Sequence, residues 1–257
     1  MSMKRTFQVD QMQVCVYGTN DELGVAAADD LVRILVDAIA ERGEAAIIVA
    51  TGNSQLSFMK ALRAREEIDW SKVHVFHMDE YLGIPANHPA SFRRYIREKL
   101  TDIVDARAFF GVEGDAPDVE AEMARYAALL HQYEPVACVL GIGENGHLAF
   151  NDPPADFQHP EPIQVVTLAE SARLQQVGEG HFASLEEVPE QAITLTIPTL
   201  LKPPSVLAVV PEARKASAVQ AALEGPITPD CPASILRTHG HVTLYLDTES
   251  AALLRPA

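Results

Sequence analysis

Short apolar, β-branched runs alternate along the chain with longer stretches whose apolar residues recur at helical spacing. Val14-Cys15-Val16-Tyr17 is predicted as a strand, followed by a helix that presents Leu31, Leu35, Ala38 and Ile39 and stops at Gly43. The plan repeats with a strand from Ala45 to Ala50, the turn Thr51-Gly52-Asn53-Ser54, and a helix carrying Leu56, Met59 and Leu62. Val73 to Phe76 opens a third unit. Asp115-Ala116-Pro117-Asp118 predicts a helix start, Val119, Met123, Tyr126 and Leu130 its buried stripe, and Val136 to Leu140 a buried strand. Val206 to Val210 precedes a helix from about Glu212 to Glu224 ended by Gly225, and Val242, Leu244 and Leu246 alternate as a final strand. No repeat or linker interrupts the pattern, so residues 1–257 are expected to form a single domain.

Repeated strand–helix units predict an α/β fold, a mainly parallel sheet with helices on both faces, because a parallel crossover needs a helix and is right-handed. Ligands of such sheets bind beyond the carboxyl ends of the strands. That rule selects the loops after Ala50, Phe76, Leu140 and Val210.

Each loop carries chemistry beside a plainer structural alternative. Thr51-Gly52-Asn53-Ser54 passes from strand to helix, where free N–H groups and small polar side chains can hold a phosphate, or simply form a tight turn with an Asn or Ser cap. His77-Met78-Asp79-Glu80-Tyr81 sets two carboxylates after a buried strand, where one can be desolvated enough to act as a base, or both can lie in solvent. Gly141-Ile142-Gly143-Glu144-Asn145-Gly146-His147 packs glycines around His147, the group best suited to proton exchange near neutral pH, with Asn145 or Asp152 able to orient it. Its G-x-G-x-x-G spacing runs into Pro153-Pro154 rather than a helix, so no dinucleotide fingerprint is read. A metal held by His147, Asp152 and His77 lacks any recognised ligand spacing. In the fourth loop Arg214 and Lys215 start a helix, and Lys215 can join backbone donors on an anion or remain a surface lysine.

Charge narrows the ligand. Lys and Arg total 20 against 36 Asp and Glu, a net −16 that argues against nucleic acid and anionic membranes but still allows a small anion in a local basic pocket. The three cysteines, Cys15, Cys138 and Cys231, are far apart and without metal spacing, which suits a reducing compartment and no disulfides. No apolar run is long enough to span a bilayer and the N-terminus lacks a leader's apolar stretch, so a soluble, cytoplasmic protein is expected.

His77-Met78-Asp79-Glu80-Tyr81-Leu82-Gly83, then His88-Pro89-Ala90-Ser91-Phe92, then Gly141 to Pro153, resemble the glucosamine-6-phosphate deaminase family, in order and spacing over most of the chain. The resemblance implies a Rossmann-like sheet, a sugar-phosphate substrate, and no redox cofactor or catalytic metal. It makes Asp79 the base moving a proton between C2 and C1, His147 the ring-opening group, and Asn145 and Asp152 its assistants. Thr51, Gly52, Asn53, Ser54, Gly141, Arg173 and Lys215 then fall at substrate-binding places, the anchors being a cradle for the phosphate. Family members range from monomers to hexamers, so a homo-oligomer is compatible with it. Two departures stand out: Asp152 replaces the glutamate usual in these deaminases, and Pro153-Pro154-Ala155-Asp156-Phe157 lacks the Ser and Arg/Lys pattern of allosterically regulated relatives, so activation by an amino-sugar effector is not expected. The 6-phosphogluconolactonases resemble the chain too, but carry a basic residue after their Asp-Glu pair and a Gly-His-Thr run where Tyr81 and Leu148 stand here. Repressor sugar-binding domains of similar architecture carry a basic helix-turn-helix that is not found in this sequence.

Overall fold

The computed structural model describes residues 5–178, 180 and 182–255, so the first residues, Met1 to Lys4, read above as part of a leader-free start, lie outside them. β1 (Arg5–Val9) and β2 (Met12–Tyr17) form an antiparallel hairpin turned at Asp10, which the strand pattern did not anticipate. α1 (Asn20–Arg42) starts where the Thr19 side chain accepts the Glu22 N–H, and it leads into β3 (Ala45–Val49). α2 (Leu56–Arg63), β4 (Val73–His77) and the short β5 (Asp79–Tyr81) follow. α3 (Phe92–Ile96) continues through a π-helical turn, Arg97–Thr101, into α4 (Asp102–Val104) and then β6 (Ala108–Phe110). α5 (Val119–Tyr133), capped by Asp118 inside the predicted start, precedes β7 (Ala137–Leu140). β8 (Ile163–Thr167), α6 (Glu170–Gly178), β9 (Gln191–Leu195), α7 (Ile197–Leu201), β10 (Ser205–Val210), α8 (Ala216–Glu224) and β11 (Val242–Asp247) complete the chain.

Eight strands make one sheet in the order β1-β2-β11-β10-β7-β3-β4-β6, parallel except for β1. Alternation along each strand feeds two cores. Ile47 and Val49, Val139, Leu207 and Val209 meet Leu23, Leu31 and Leu35 of α1 and Phe58, Met59 and Leu62 of α2. Ile48, Cys138, Leu140, Ala208 and Leu244 face the other way, onto Tyr126 and Leu130 of α5, Leu200 and Leu201 of α7, and Val219 and Leu223 of α8. Helices therefore cover both faces, as the repeated units predict.

A second, antiparallel sheet, β5-β9-β8, was not anticipated. Ile163, Ile193 and Leu195 turn inward to the main core, while Tyr81 and Ala192 pack with Phe182 and Leu168 in a separate cluster. Its pairing of Asp79 with Thr194 holds Asp79 in extended backbone at the end of β4.

Candidate active site

β3, β4 and β6 step outward in one direction and β7, β10 and β11 in the other, so the strand order reverses between β3 and β7. A parallel sheet opens a crevice at such a point. A cavity of about 180 Å³ lies there, lined by residues of all four loops selected from the sequence, among them Thr51 to Ser54, Asp79, Gly141, His147, Asp152 and Lys215.

Asp79 and Glu80 are both buried, with 6% and 0% exposure, but only Glu80 is fully supplied with donors. Its carboxylate accepts the N–H groups of Tyr81, Phe92 and Arg93, the Ser91 hydroxyl at 2.7 Å and the Arg93 Nε at 3.2 Å. It thereby caps the start of α3 and joins the His88 to Phe92 motif to the strand end. Asp79 instead lines the crevice with Oδ1 buried and unbonded. Burial, reinforced by the charge of Glu80, pushes its carboxyl from the usual carboxylate range up to about 8. A carboxylate so poorly stabilised is a strong base once ionised.

In the loop after β7, the His147 ring lies over Gly143, where a Cβ would come within 2.2 Å of the imidazole. Asn145 Oδ1 accepts the His147 N–H at 3.1 Å and its Nδ2 donates to Asp152 Oδ1 at 2.9 Å. His147 Nδ1 stands 3.2 Å from the same oxygen, the less well aligned of the two contacts. Burial works against the charge on Asp152, but His147 and Asn145 outweigh it and hold the carboxyl below its ordinary value. An ionised carboxylate on Nδ1 leaves Nε2 of His147 as the proton-exchanging atom. The loop is braced from the small sheet, since Phe150 N–H donates to the Thr194 hydroxyl and Asn151 Nδ2 to the Leu195 carbonyl.

At the opposite wall Gly52 turns at φ 98°, a conformation that suits glycine, and Thr51 to Ser54 border the crevice ahead of α2. Lys215, only 8% exposed, faces them from the turn before α8, and Arg214 beside it contacts Glu212 at 2.6 Å and Glu144 at 3.3 Å. Arg173 corrects the expected set: it does not line the crevice. From α6 its guanidinium donates to the carbonyls of Leu185 at 2.9 Å and Val188 at 2.8 Å, satisfying backbone acceptors around the turn Leu185–Glu187.

The matching family model, described as glucosamine-6-phosphate isomerases/6-phosphogluconolactonase, spans residues 18–245. The chain belongs to this family. It is similar to the glucosamine-6-phosphate deaminase of Exiguobacterium sibiricum, 39% identical over 206 residues that make up 80% of each chain. A solved monomeric glucosamine-6-phosphate deaminase superposes with a TM-score of 0.83 at 33% identity, covering 93% of this chain and 99% of the other. A 6-phosphogluconolactonase from Shewanella baltica, 20% identical with a TM-score of 0.75 over 96% of this chain and 99% of its own, shares the fold.

For this family member, His77 is no ligand. Its ring is fully buried, Nε2 accepts the Val112 N–H at 2.7 Å, and burial depresses its pKa to about 3. Among the described residues no group of three His, Cys, Asp or Glu is placed to hold a metal, and no helix is long and apolar enough to cross a membrane. The sequence reading missed Gln55, buried at the crevice base with Nε2 on the Val209 carbonyl, and the Tyr81, Phe92 and Phe150 wall, whose rings pack 5.1 to 5.7 Å apart. Aromatic spacing within the two motifs was the only signal for that wall. A larger cavity, about 580 Å³, lies before β7 and β10 among Pro135, Pro203 and Pro204, and contains none of the expected site residues.

Proposed function

We propose that this family member is a glucosamine-6-phosphate deaminase: it opens the pyranose, isomerises the aldose to a ketose and releases the C2 nitrogen as ammonia. The observation that carries the reading is a buried Asp79 whose Oδ1 has no hydrogen-bond partner, in the same crevice as His147 and the Asp152 that Asn145 supports. The phosphate sits on the N–H groups of the Thr51 to Ser54 turn and on Lys215, fixing the distant C1–C2 unit against Asp79. His147, oriented by Asp152, takes the O1 proton and returns one to the ring oxygen. Asp79 removes the C2 proton while O1 takes up a proton given by the substrate's ammonium group, forming an enolamine, and Asp79 then delivers its proton to C1 to leave a C2 iminium. Water then adds at the C2 iminium carbon and ammonia leaves, so one water enters for each ammonia lost. A cationic amino group brought beside Asp79 by the substrate favours its ionised, basic form.

Asp152 is one methylene shorter than glutamate, yet it reaches both His147 and Asn145, so the shorter side chain still supports the orienting role. Incubation of the purified protein with glucosamine 6-phosphate should release ammonia and a ketose phosphate in equal amounts. Hydrolysis of 6-phosphogluconolactone without ammonia release would overturn the assignment in favour of a lactonase, and binding without turnover in favour of a sensor.

A further inference from the structure

Glu212, between β10 and Lys215, adopts φ 82° and ψ 142°, a backbone region otherwise left to glycine and costly for a residue with a side chain. Two contacts hold it there. Its N–H donates to both oxygens of the buried Asp247 carboxylate, at 3.3 and 3.1 Å, and that carboxylate is fixed in turn by the Ser250 N–H at 2.7 Å. Its own carboxylate accepts Arg214 Nε at 2.6 Å. The strained residue thus aims the Arg214 guanidinium at the crevice, which Arg214 lines with Lys215 and the Thr51 to Ser54 turn. The guanidinium Nη1 reaches Glu144, on the loop that bears His147, at 3.3 Å.

We propose that Arg214 is a second cation for the substrate's phosphoryl group, a specificity-determining residue that exchanges Glu144 for phosphate when the substrate binds. The proposal rests on the sugar-phosphate reading above. With Arg173 occupied by backbone carbonyls, Lys215 and Arg214 are the cations that line the crevice among the described residues, and Arg214 adds a second charge against a dianion from the neighbouring position. The side chains of Arg214 and Glu144 are 34% and 43% exposed, so their ion pair contributes little and yields readily. Guanidinium on phosphate is a charge-assisted and often bidentate contact. Glu212 keeps hold of Nε throughout, which preserves the orientation while the outer nitrogen changes partner.

Calorimetric titration with inorganic phosphate, and steady-state kinetics with glucosamine 6-phosphate, should be run on the unaltered enzyme, Arg214→Ala, Arg214→Lys and Glu144→Gln. Arg214→Ala should weaken phosphate binding and raise KM about tenfold or more, with the smaller change in kcat, as expected for losing a hydrogen bond to a charged group. Arg214→Lys should fall between. Glu144→Gln removes the competing carboxylate and should tighten phosphate binding. A purely structural tie between the two loops predicts that Arg214→Ala and Glu144→Gln both weaken binding, and that result overturns the proposal, as does unchanged phosphate affinity in both arginine variants. If the unaltered enzyme binds no phosphate and turns over no sugar phosphate, the sugar-phosphate reading fails and this proposal with it. Failure confined to the variants removes Arg214 alone.

Discussion

The crevice floor at Asp79 and the buttress behind it at Glu80 are one peptide bond apart and opposite in character. Both carboxylates are buried, but Glu80 is met by three backbone N–H groups, a hydroxyl and a guanidinium, while Asp79 has a buried oxygen with no donor. Alternation in the strand explains the split: successive side chains leave on opposite faces, one toward the crevice and one toward the start of α3. Burial with donors makes a strut. Burial without them makes a base, because the protein declines to stabilise its charge.

Substitution should separate the two roles. Asp79→Asn should lower kcat by about a hundredfold to ten-thousandfold, the range for a positioned proton-transfer group, while substrate affinity stays near its original value. Solvent deuterium should no longer enter C2 of the bound sugar; normal exchange would show that another group is the base. Glu80→Ala should act on folding instead, costing about 3–5 kcal/mol in a urea titration, since it leaves the buried Arg93 only the more exposed Asp115 as a carboxylate partner and strands the Ser91 hydroxyl and several buried N–H donors. Asp152→Asn should slow turnover of the pyranose by on the order of a hundredfold, the low end for acid–base assistance, because it disturbs the His147 proton. Comparable loss with an open-chain ketose substrate run in reverse would contradict a role confined to ring opening.

Proton linkage sharpens the contrast further. With Asp79 raised to about 8, kcat/KM should climb through a limb near pH 8, well above an ordinary carboxylate. The folded state binds this proton more tightly than the unfolded chain, so stability drawn from Asp79 is complete below about pH 4 and is lost as pH rises through 8. Asp79→Asn should therefore melt a few degrees higher than the unaltered protein at pH 8.5 and level with it at pH 3.5. Equal melting temperatures at both pH values would place the Asp79 carboxylate in a wetter setting than this one.

Six strands of the main sheet, β2, β3, β4, β7, β10 and β11, were legible because they are apolar or alternating runs set between stretches of helical period, both local signals, whereas β1, mostly half-exposed, and the three-residue β6 were not. Asp118 capping α5 and Gly43 ending α1 fell where their residue types suggest. The small sheet was not legible. β5 is three residues, two of them acidic, and its partner β9 lies more than a hundred residues away, so nothing local marks it as a strand. For the site, the four loops were visible from the strand-end rule, but the assignment of Asp79 rather than Glu80 to the crevice depends on Ser91 and Arg93 arriving from elsewhere. Arg173 was misplaced for a related reason: its partners are main-chain carbonyls of a later turn, which no side-chain pattern discloses.

The position of β11 has a consequence for biogenesis. Within the sheet β2 touches only β1 and β11, pairing Gln13 with Thr243 and Tyr17 with Asp247. The β1–β2 hairpin can pack on α1 early but cannot take its place in the sheet until β11, far later in the chain, has been synthesised. Its open edge waits over that length of synthesis, and the sheet closes through a pairing of high sequence separation, the slow kind to form.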